Sequence, residues 1–563
     1  MANYYKKKES LSDVFRGISS GVTSVFLFII LTIFPLYTHD MYFDILGARY
    51  MFFKVWSILL CAILLFLGIL YLVIDFQNRA SFPTAFRRFV DAFKPENIKK
   101  HIMLTDIFFI IMIISMIIST IGTDFKEEAF FGNAGRYQGL ECWIYYFLTY
   151  IAITRTYKFK LYHLDFAILS GVFSSIWGIL DFFKLDPFGF FRNVSTLQQA
   201  MFASSIGNLN TFTNYTIMIF ALAATLFIIE KRLVRSIFYF ICALIASVGT
   251  ICGFADNAVL GFFGFYLFLP FFAFKNRRML LRYLISIDML FISLFIFWIA
   301  NKFPHNDIQS SFFLDFIRIP NTCYLFIPFT IFVVIVGVVL YKMKPTYDMD
   351  MKLYEDNNLN VNINPLDSKL PQQIKLIYMI IVLIGFILVT YIILDMNVFK
   401  QHVDIWSKLP SSGQLVFNDN WGTHRGHNWR IAFTNFKDNF SWFQRLFGYG
   451  PDTYLIVSER TFYEEMVQRY GEVYDSAHNE YINYLICEGL IGLISYLGIF
   501  ITALRTGVKN IINNIFILAP IMAVIAYMVQ AVVNIAIPIT TPVFFVFMYM
   551  CAAMGLNKKE VSV

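Results

Sequence analysis

In the stretch 474–500, YDSAHNEYINYLICEGLIGLISYLGIF, a histidine stands at the mouth of a long apolar run, and a glutamate lies ten residues further in. Asp475 or Ser476 can open a helix here, because each offers a side-chain oxygen to the free amides of a first turn. His478 then falls in that first turn, where the positive helix end disfavours imidazolium and leaves a neutral ring able to accept a proton. The same spare N–H groups suit a phosphate. Asn479 and Asn483, one turn apart, add donors and acceptors on a shared face. Glu488 sits about 15 Å along this helix from His478. A carboxyl at that depth costs roughly 2.5–3.5 kcal/mol, so it is expected to face the bundle interior, take a partner and brace the helix. Gly489, Gly492 and Gly498 permit the close packing such a bond needs. The plainer alternatives are an interfacial histidine with a satisfied hydrogen bond and a purely structural glutamate.

Arginines supply the second kind of chemistry. Arg136 in FGNAGRYQGL and Arg425 in GTHRGHNWR stand beside glycines, where the backbone can turn and approach a ligand. Guanidinium forks neutralise the charge of a departing diphosphate. Arg430 is predicted on the same outer side, and contact with lipid headgroups is the plainer role for each. His424 and His427 are spaced H-x-x-H, but a zinc ion needs a third and fourth ligand and none stands nearby. Asp40 and Asp44 make a poor paired-acid signature. No metal and no cofactor are therefore expected. Asp288, inside an apolar run, reads as one half of a polar pairing.

The elements that position these residues follow from composition. Of 563 residues, 58% are hydrophobic, 19% aromatic and only 15% charged. Soluble folds do not hide that much apolar surface, and repeated runs of about 18–25 apolar residues mean membrane-spanning helices. The expected fold is an all-α polytopic membrane protein of about fourteen spans, centred near residues 28, 64, 113, 147, 172, 220, 244, 265, 291, 332, 386, 490, 520 and 544. The first span has no small-residue cleavage site after it and reads as a retained anchor. The seven cysteines form no C-x-x-C pair and read as small core residues.

Basic residues set the orientation. Lys6, Lys7, Lys8 and Arg16 precede the first span, and every second short loop is basic: 87–100, 155–160, 230–235, 275–282, 341–344, 505–509 and 557–559. Both termini on the cytoplasmic side fits all of these. The +7 net charge is then a topology signal, and no nucleic-acid partner is expected. Three regions result. Residues 1–396 hold eleven spans with a polar cytoplasmic loop at 342–374. Residues 397–478 form a long external loop. Residues 479–563 hold the last three spans. The external loop is too long to be idle, and it carries Trp406, Trp421, Trp429 and Trp442, half of the chain's eight tryptophans. Its segment NWRIAFTNFKDNF reads as an amphipathic helix with Trp429, Ala432, Phe433 and Phe436 on one face.

These residues, taken in order, resemble the O-antigen ligase / O-antigen polymerase family of bacterial membrane glycosyltransferases. GRYQGL (135–140) is similar to an early G-R-x-x-G element, and SSIGNLNTFTNY (204–215) to a G-N-x-N segment. GTHRGHNWRIAF (422–433) resembles the R-x-x-x-W element, with Arg425 and Trp429 in its two positions. LFGYGPDTY (446–454) and SAHNEYINYLICEGLIG (476–492) resemble the F-G-x-G and A-H-N…E-x-G-L-I-G signatures. One turn departs from the pattern: CGFADNAVLG (252–261) carries Asp256 and Asn257 where many members have S-R-G. The resemblance implies a polyprenyl-diphosphate-linked glycan as donor and a glycan, lipid or protein hydroxyl as acceptor, among the lipids of the bacterial cytoplasmic membrane. His478 would be base or acceptor-orienting group, Arg425 and Arg136 diphosphate clamps with Arg430 in support, and the loop tryptophans stacking faces for sugars. It leaves ligase and polymerase unseparated. The main rival is a polysaccharide flippase without bond chemistry, which ordinarily shows two similar halves and short external loops.

Overall fold

The helix Leu209–Ile229 is buried along its whole apolar window, and in this computed structural model the other helices are arranged around it. The structure describes residues 10–77, 101–133, 135–306, 311–344, 365–409 and 412–553, with a few positions between 87 and 97. Lys6–Lys8, most of the basic segment 87–100, most of the polar loop 342–374 and the segment 557–559 lie outside the described residues.

The chain is an all-α polytopic membrane protein. Among the described residues eleven helices are long and apolar enough to cross a membrane. The helices used below are α1 (Leu11–Phe28, continuing to Leu36), α2 (Ile45–Gln77), α3 (Leu104–Gly122), α4 (Leu140–Thr156), α5 (Tyr162–Phe182), α6 (Leu209–Ile229), α7 (Leu233–Cys252), α8 (Asn257–Phe268) and α9 (Arg277–Ala300). Of these α4 and α8 are shorter than a full span, as is the closing helix Thr541–Ala553; α8 and the closing helix are strongly apolar, whereas α4 carries Glu141 and Arg155 at its two ends. The short helix α10 (Phe312–Arg318) follows, then α11 (Phe326–Lys342) and α12 (Gln372–Leu394). None of the apolar window of α12 is buried inside the protein, which gives it to lipid; Tyr378 ties it to the bundle by donating to the Leu267 carbonyl at 2.7 Å.

Helix starts follow side-chain oxygens. Asn208, within the G-N-x-N segment, caps α6 by accepting from the Asn210 amide, and Asn276 caps α9 by accepting from Met279. Asp288 finds the polar partner expected of it, the Thr330 hydroxyl at 2.7 Å.

Connections sort onto two faces. One brings Asn133 and Gln138 to Asp452, Tyr42 to the Ser204 carbonyl, Asn306 to the Asp181 carbonyl, and Phe312 and Gln414 to Asp256. The other holds Arg155 on Asp106, Arg235 on Asp165, Arg278 on Asp367 and Arg277 on the Leu340 and Met343 carbonyls.

The segment 412–478 is folded, with α13 (Trp421–Thr434) and α14 (Tyr454–Tyr470) as its larger helices. It has its own apolar cluster, in which Ile431, Ala432, Tyr454, Val457, Met466 and Ala477 meet Ile482 and Ile486. The amphipathic helix is present, and of its expected face Ala432 is buried and Trp429 and Phe436 pack on this cluster. Asn428, Ile431, Ala432 and Asn435 are buried, whereas Phe433 is half exposed, because the cluster lies beneath α14 and the segment leading to Ile486.

The last helices are α15 (Glu480–Cys487), α16 (Gly489–Asn510), α17 (Leu518–Gln530) and α18 (Thr541–Ala553). Glu480, 1% exposed, accepts from the Tyr496 hydroxyl at 2.6 Å and the Tyr527 hydroxyl at 2.7 Å, joining α15, α16 and α17. A buried carboxyl is tolerated only with such partners. Glu480→Ala strands two buried hydroxyls and is expected to cost about 2–4 kcal/mol. A fall in thermal midpoint and folded yield checks it, with Glu480→Gln, which keeps an acceptor, falling less.

Candidate active site

The backbone around His478 is shaped before α15 begins. Asn479 is the cap: its side-chain oxygen accepts from the Tyr481 and Ile482 amides at 3.0 and 3.1 Å. This corrects the expectation that Asp475 or Ser476 opens the helix and that His478 sits in its first turn. His478 precedes the cap, with φ +48°, in the left-handed region. Asn483 accepts from the Ala477 amide at 3.2 Å. The carbonyl oxygens of Asn479 and Asn483 are thus engaged by backbone amides rather than presented to a ligand.

Helix α13 holds the same segment from the other side. Asn428 donates to the Ser476 carbonyl at 2.8 Å and Trp429 Nε1 to the Ala477 carbonyl at 2.9 Å. Asn428 in turn accepts from the Tyr454 hydroxyl at 2.5 Å. The tryptophan of the R-x-x-x-W pattern therefore positions the histidine segment, and its ring packs against Trp421 with centroids 5.0 Å apart. Trp406 and Trp421 also commit their N–H groups, to Asp395 and to the Gln414 carbonyl.

Arg425 starts the regular part of α13. Gly422, Thr423 and His424 before it all have positive φ, 61°, 55° and 66°. That left-handed turn brings the Gly422 carbonyl back to accept from Arg425 Nη1 at 2.8 Å. Arg425 Nε is buried without a protein partner. Burial draws its pKa down, and the nearby charge of Asp256 opposes that shift. Asp256 also accepts from the Phe312 amide and from Gln414. The turn that lacks S-R-G thus sets an acid near Arg425, a charge of opposite sign to the arginine of the pattern.

Arg136 arrives on the loop 132–139, where Gly135 (φ +90°) and Tyr137 (φ +52°) bend the chain. Its Nη2 donates to Asp475 Oδ2 at 2.6 Å. Asp452, from the G-Y-G-P-D-T-Y turn, pins this loop: its Oδ2 accepts from the Asn133 amide at 2.8 Å and the Gln138 amide at 3.0 Å. Gly132 (φ +88°) is required there, because a Cβ would meet that carboxyl and the Gln138 and Gly139 amides. Burial pushes the Asp452 carboxyl up to about 7, against the two amides. His478 feels both guanidiniums. Burial first, then Arg425 and Arg136, lower its pKa to about 4, with Asp475 opposing, so the ring is neutral at pH 7.

Other expected residues are placed differently. Arg430 joins an acid network, reaching Asp419 at 3.2 Å and Glu465 at 2.5 Å, which Arg469 shares. It serves α13–α14 packing and is not turned to His478, because the acids that attract it come from distant sequence. His427 is buried between Tyr474 and Glu465, and His424 lies by Glu472; both rings pack on Tyr470, and their nitrogens have separate partners. Glu488 does not extend a continuous helix from His478. It sits at the break between α15 and α16, with Gly489 next to it at φ +71°, and its Oε2 is buried without a partner. Its bracing role passes to Glu480. Gly489 lets the Leu446–Gly448 backbone approach, and Gly492 packs on the Glu488 side chain.

The arrangement sets a neutral imidazole in the field of two guanidiniums, with buried guanidinium nitrogen to spare. It can hold an anionic group and accept a proton beside it. No family model matches this chain, and comparison with curated proteins returns no match.

Asp452 carries no mark in sequence beyond its place in the G-x-G element, yet it fixes the Arg136 loop. Asp452→Ala leaves two buried amides without an acceptor and is expected to cost about 2–4 kcal/mol. Asp452→Asn keeps an acceptor oxygen and should retain most of that stability. Parallel thermal midpoints and folded yields of the two variants check this.

Proposed function

We propose that this protein transfers a saccharide from a polyprenyl diphosphate carrier to an acceptor hydroxyl at the outer face of the bacterial cytoplasmic membrane, as an O-antigen ligase- or polymerase-type glycosyltransferase. The observation that carries the reading is the convergence of Arg136, Arg425 and neutral His478 from three separate segments. Each belongs to an element that resembles the family pattern.

In this reading the acceptor oxygen attacks the anomeric carbon while the bond from that carbon to the diphosphate oxygen breaks. His478 takes the acceptor proton, and Arg425 and Arg136 meet the charge that develops on the leaving diphosphate. Arg425 Nε, buried and unpartnered, is a donor available to it. The reading takes fourteen spans, with α4, α8 and α18 among them, and both termini in the cytoplasm, an arrangement in which His478 would lie outside. The clustering of Arg155, Arg235, Arg277 and Arg278 on the opposite face supports that orientation.

The test is transfer by the purified protein in lipid, supplied with a polyprenyl-diphosphate oligosaccharide. A product ladder without other acceptor means polymerase, and a single shifted product with an added acceptor means ligase. His478→Ala and Arg425→Ala are expected to reduce either product by at least about a hundredfold while insertion persists. Full activity in either variant removes that residue from the mechanism. Donor movement between leaflets without any product would favour a flippase.

The pH profile gives a second check. The working form of His478 is neutral and its pKa lies at about 4, so the acid limb should fall near 4 and not near 6.5. Arg136→Gln removes one positive charge that depresses it, and should move the limb of the residual activity upward. A limb that stays at one pH in both proteins assigns the proton to another group.

A further inference from the structure

From Val55 to Ile74, α2 runs for about twenty residues without a charged side chain, the length that crosses about 30 Å of hydrocarbon. Lys54 stands at one end of this run and Asp75 at the other. Lys54 belongs to the face that carries the candidate site, since it pairs with Glu141, the second residue of α4, just beyond the Arg136 loop. By the length of the run it ends, the level expected for Lys54 is that of the phosphates of the leaflet on that side.

A lysine at this level ordinarily extends its ammonium outward to the headgroups. Lys54 is held back instead. Its Nζ lies 2.5 Å from Glu141 Oε1, and Tyr50 and Tyr145 donate to the same carboxylate at 2.6 and 3.2 Å. The ammonium also sits 5.9 and 5.8 Å from the two tyrosine ring centroids. The cluster is not sealed: a quarter of the Lys54 side chain is exposed, and only 11% of the apolar window of α2 is buried. An ammonium has three donors and Glu141 takes one, so donors remain for a further acceptor. The Tyr50 ring is stacked on Tyr137, centroids 4.8 Å apart and planes 7° apart. Tyr137 is the left-handed residue directly after Arg136.

We propose that Lys54, set by Glu141 and flanked by Tyr50 and Tyr145, is a docking site for the phosphate of a lipid in the leaflet beside the candidate active site, and that the Tyr50–Tyr137 stack joins it to the Arg136 loop. The ligand class is a lipid-borne phosphate, from a bilayer phospholipid or a prenyl diphosphate. The site stands on this geometry, and only the prenyl source rests on the transfer reading.

The test uses the full chain in phosphatidylcholine nanodiscs. Binding of farnesyl diphosphate, of phosphatidylglycerol and, as a control without a lipid tail, of inorganic pyrophosphate is read from ligand-induced thermal shifts. Lys54→Met is expected to weaken binding of the recognised lipid about tenfold, and Lys54→Arg to restore it. Glu141→Gln removes the resident carboxylate and should tighten binding, an effect that a merely structural ion pair does not produce. The Lys54 dependence should persist in Arg136→Gln, which separates this site from the diphosphate clamp. Selective binding of farnesyl diphosphate assigns the site to a carrier, and comparable binding of phosphatidylglycerol assigns it to bilayer phospholipid. Unchanged lipid binding in Lys54→Met, or pyrophosphate binding as strong as that of either lipid, overturns the proposal. Lys54-dependent binding in a protein that transfers no glycan would defeat the transfer reading and leave this site standing.

Discussion

One carboxyl oxygen and two amide protons hold the site-bearing face together. Asp452 accepts from Asn133 and Gln138, more than three hundred residues away in sequence. The turn that carries it also donates from the Tyr449 and Gly450 amides to the Ile486 and Cys487 carbonyls at the end of α15. Gly448 is needed there, because a Cβ would collide with the Cys487 carbonyl. Directly after the turn, Tyr454 begins α14 and holds Asn428 of α13. A single turn thus sets the loop of Arg136, the helix after His478 and the helix after Arg425. Charge placement elsewhere in the site builds on this constraint, with Asn428 and Trp429 holding the carbonyls before His478 and Arg136 paired with Asp475.

Electrostatics explains why those groups coexist. Two guanidiniums and an imidazole in a partly desolvated place would repel if all were charged. Asp475 meets Arg136 and Asp256 faces Arg425, while the imidazole gives up its proton. Asp475 is the more exposed member of its pair, its side chain 46% accessible against 14% for Arg136. Solvent therefore screens the acid more than the base, and the balance inside is positive. An anion entering this space replaces solvated partners with a buried one. The Arg430–Asp419–Glu465–Arg469 network is different in kind: its members are all partly exposed and mutually satisfied, and it holds two helices together.

The hydropathy of the chain makes the helical fold legible, because each long apolar run can satisfy its backbone in lipid only as a helix. Convergence of Arg136, Arg425 and His478 on one region is legible in their shared pattern. Local geometry is less so. Asp475, Ser476 and Asn479 are all good caps, and the choice of Asn479 depends on Asn428 and Trp429 fixing the carbonyls before it. Glu480 and Glu488 lie eight residues apart in one apolar context. Only the distant tyrosines 496 and 527 decide which carboxyl is paired. The direction of Arg430 depends on acids at 419 and 465, which no local spacing shows. Phe433 looks buried in the helical pattern and is not, because the core beneath α13 is built by α14.

Backbone conformation says what kind of site this is. Tyr137, Thr423, His424, Asp452 and His478 all have positive φ, and all lie in the segments that meet here. For residues with a side chain such conformations cost on the order of 1–3 kcal/mol each, and most for a β-branched one like Thr423. They persist only where surrounding bonds over-determine them. Here those bonds are identifiable: Arg425 on the Gly422 carbonyl, Asn428 and Trp429 on the carbonyls before His478, and the Asp452 carboxyl on two amides. The strain is held by groups distinct from His478 and the free edge of Arg425. Folding, and not ligand binding, therefore supplies the energy that aims them. A site aimed in advance spends little ligand energy on reorganisation, which is the condition under which fixed donors stabilise developing charge most effectively.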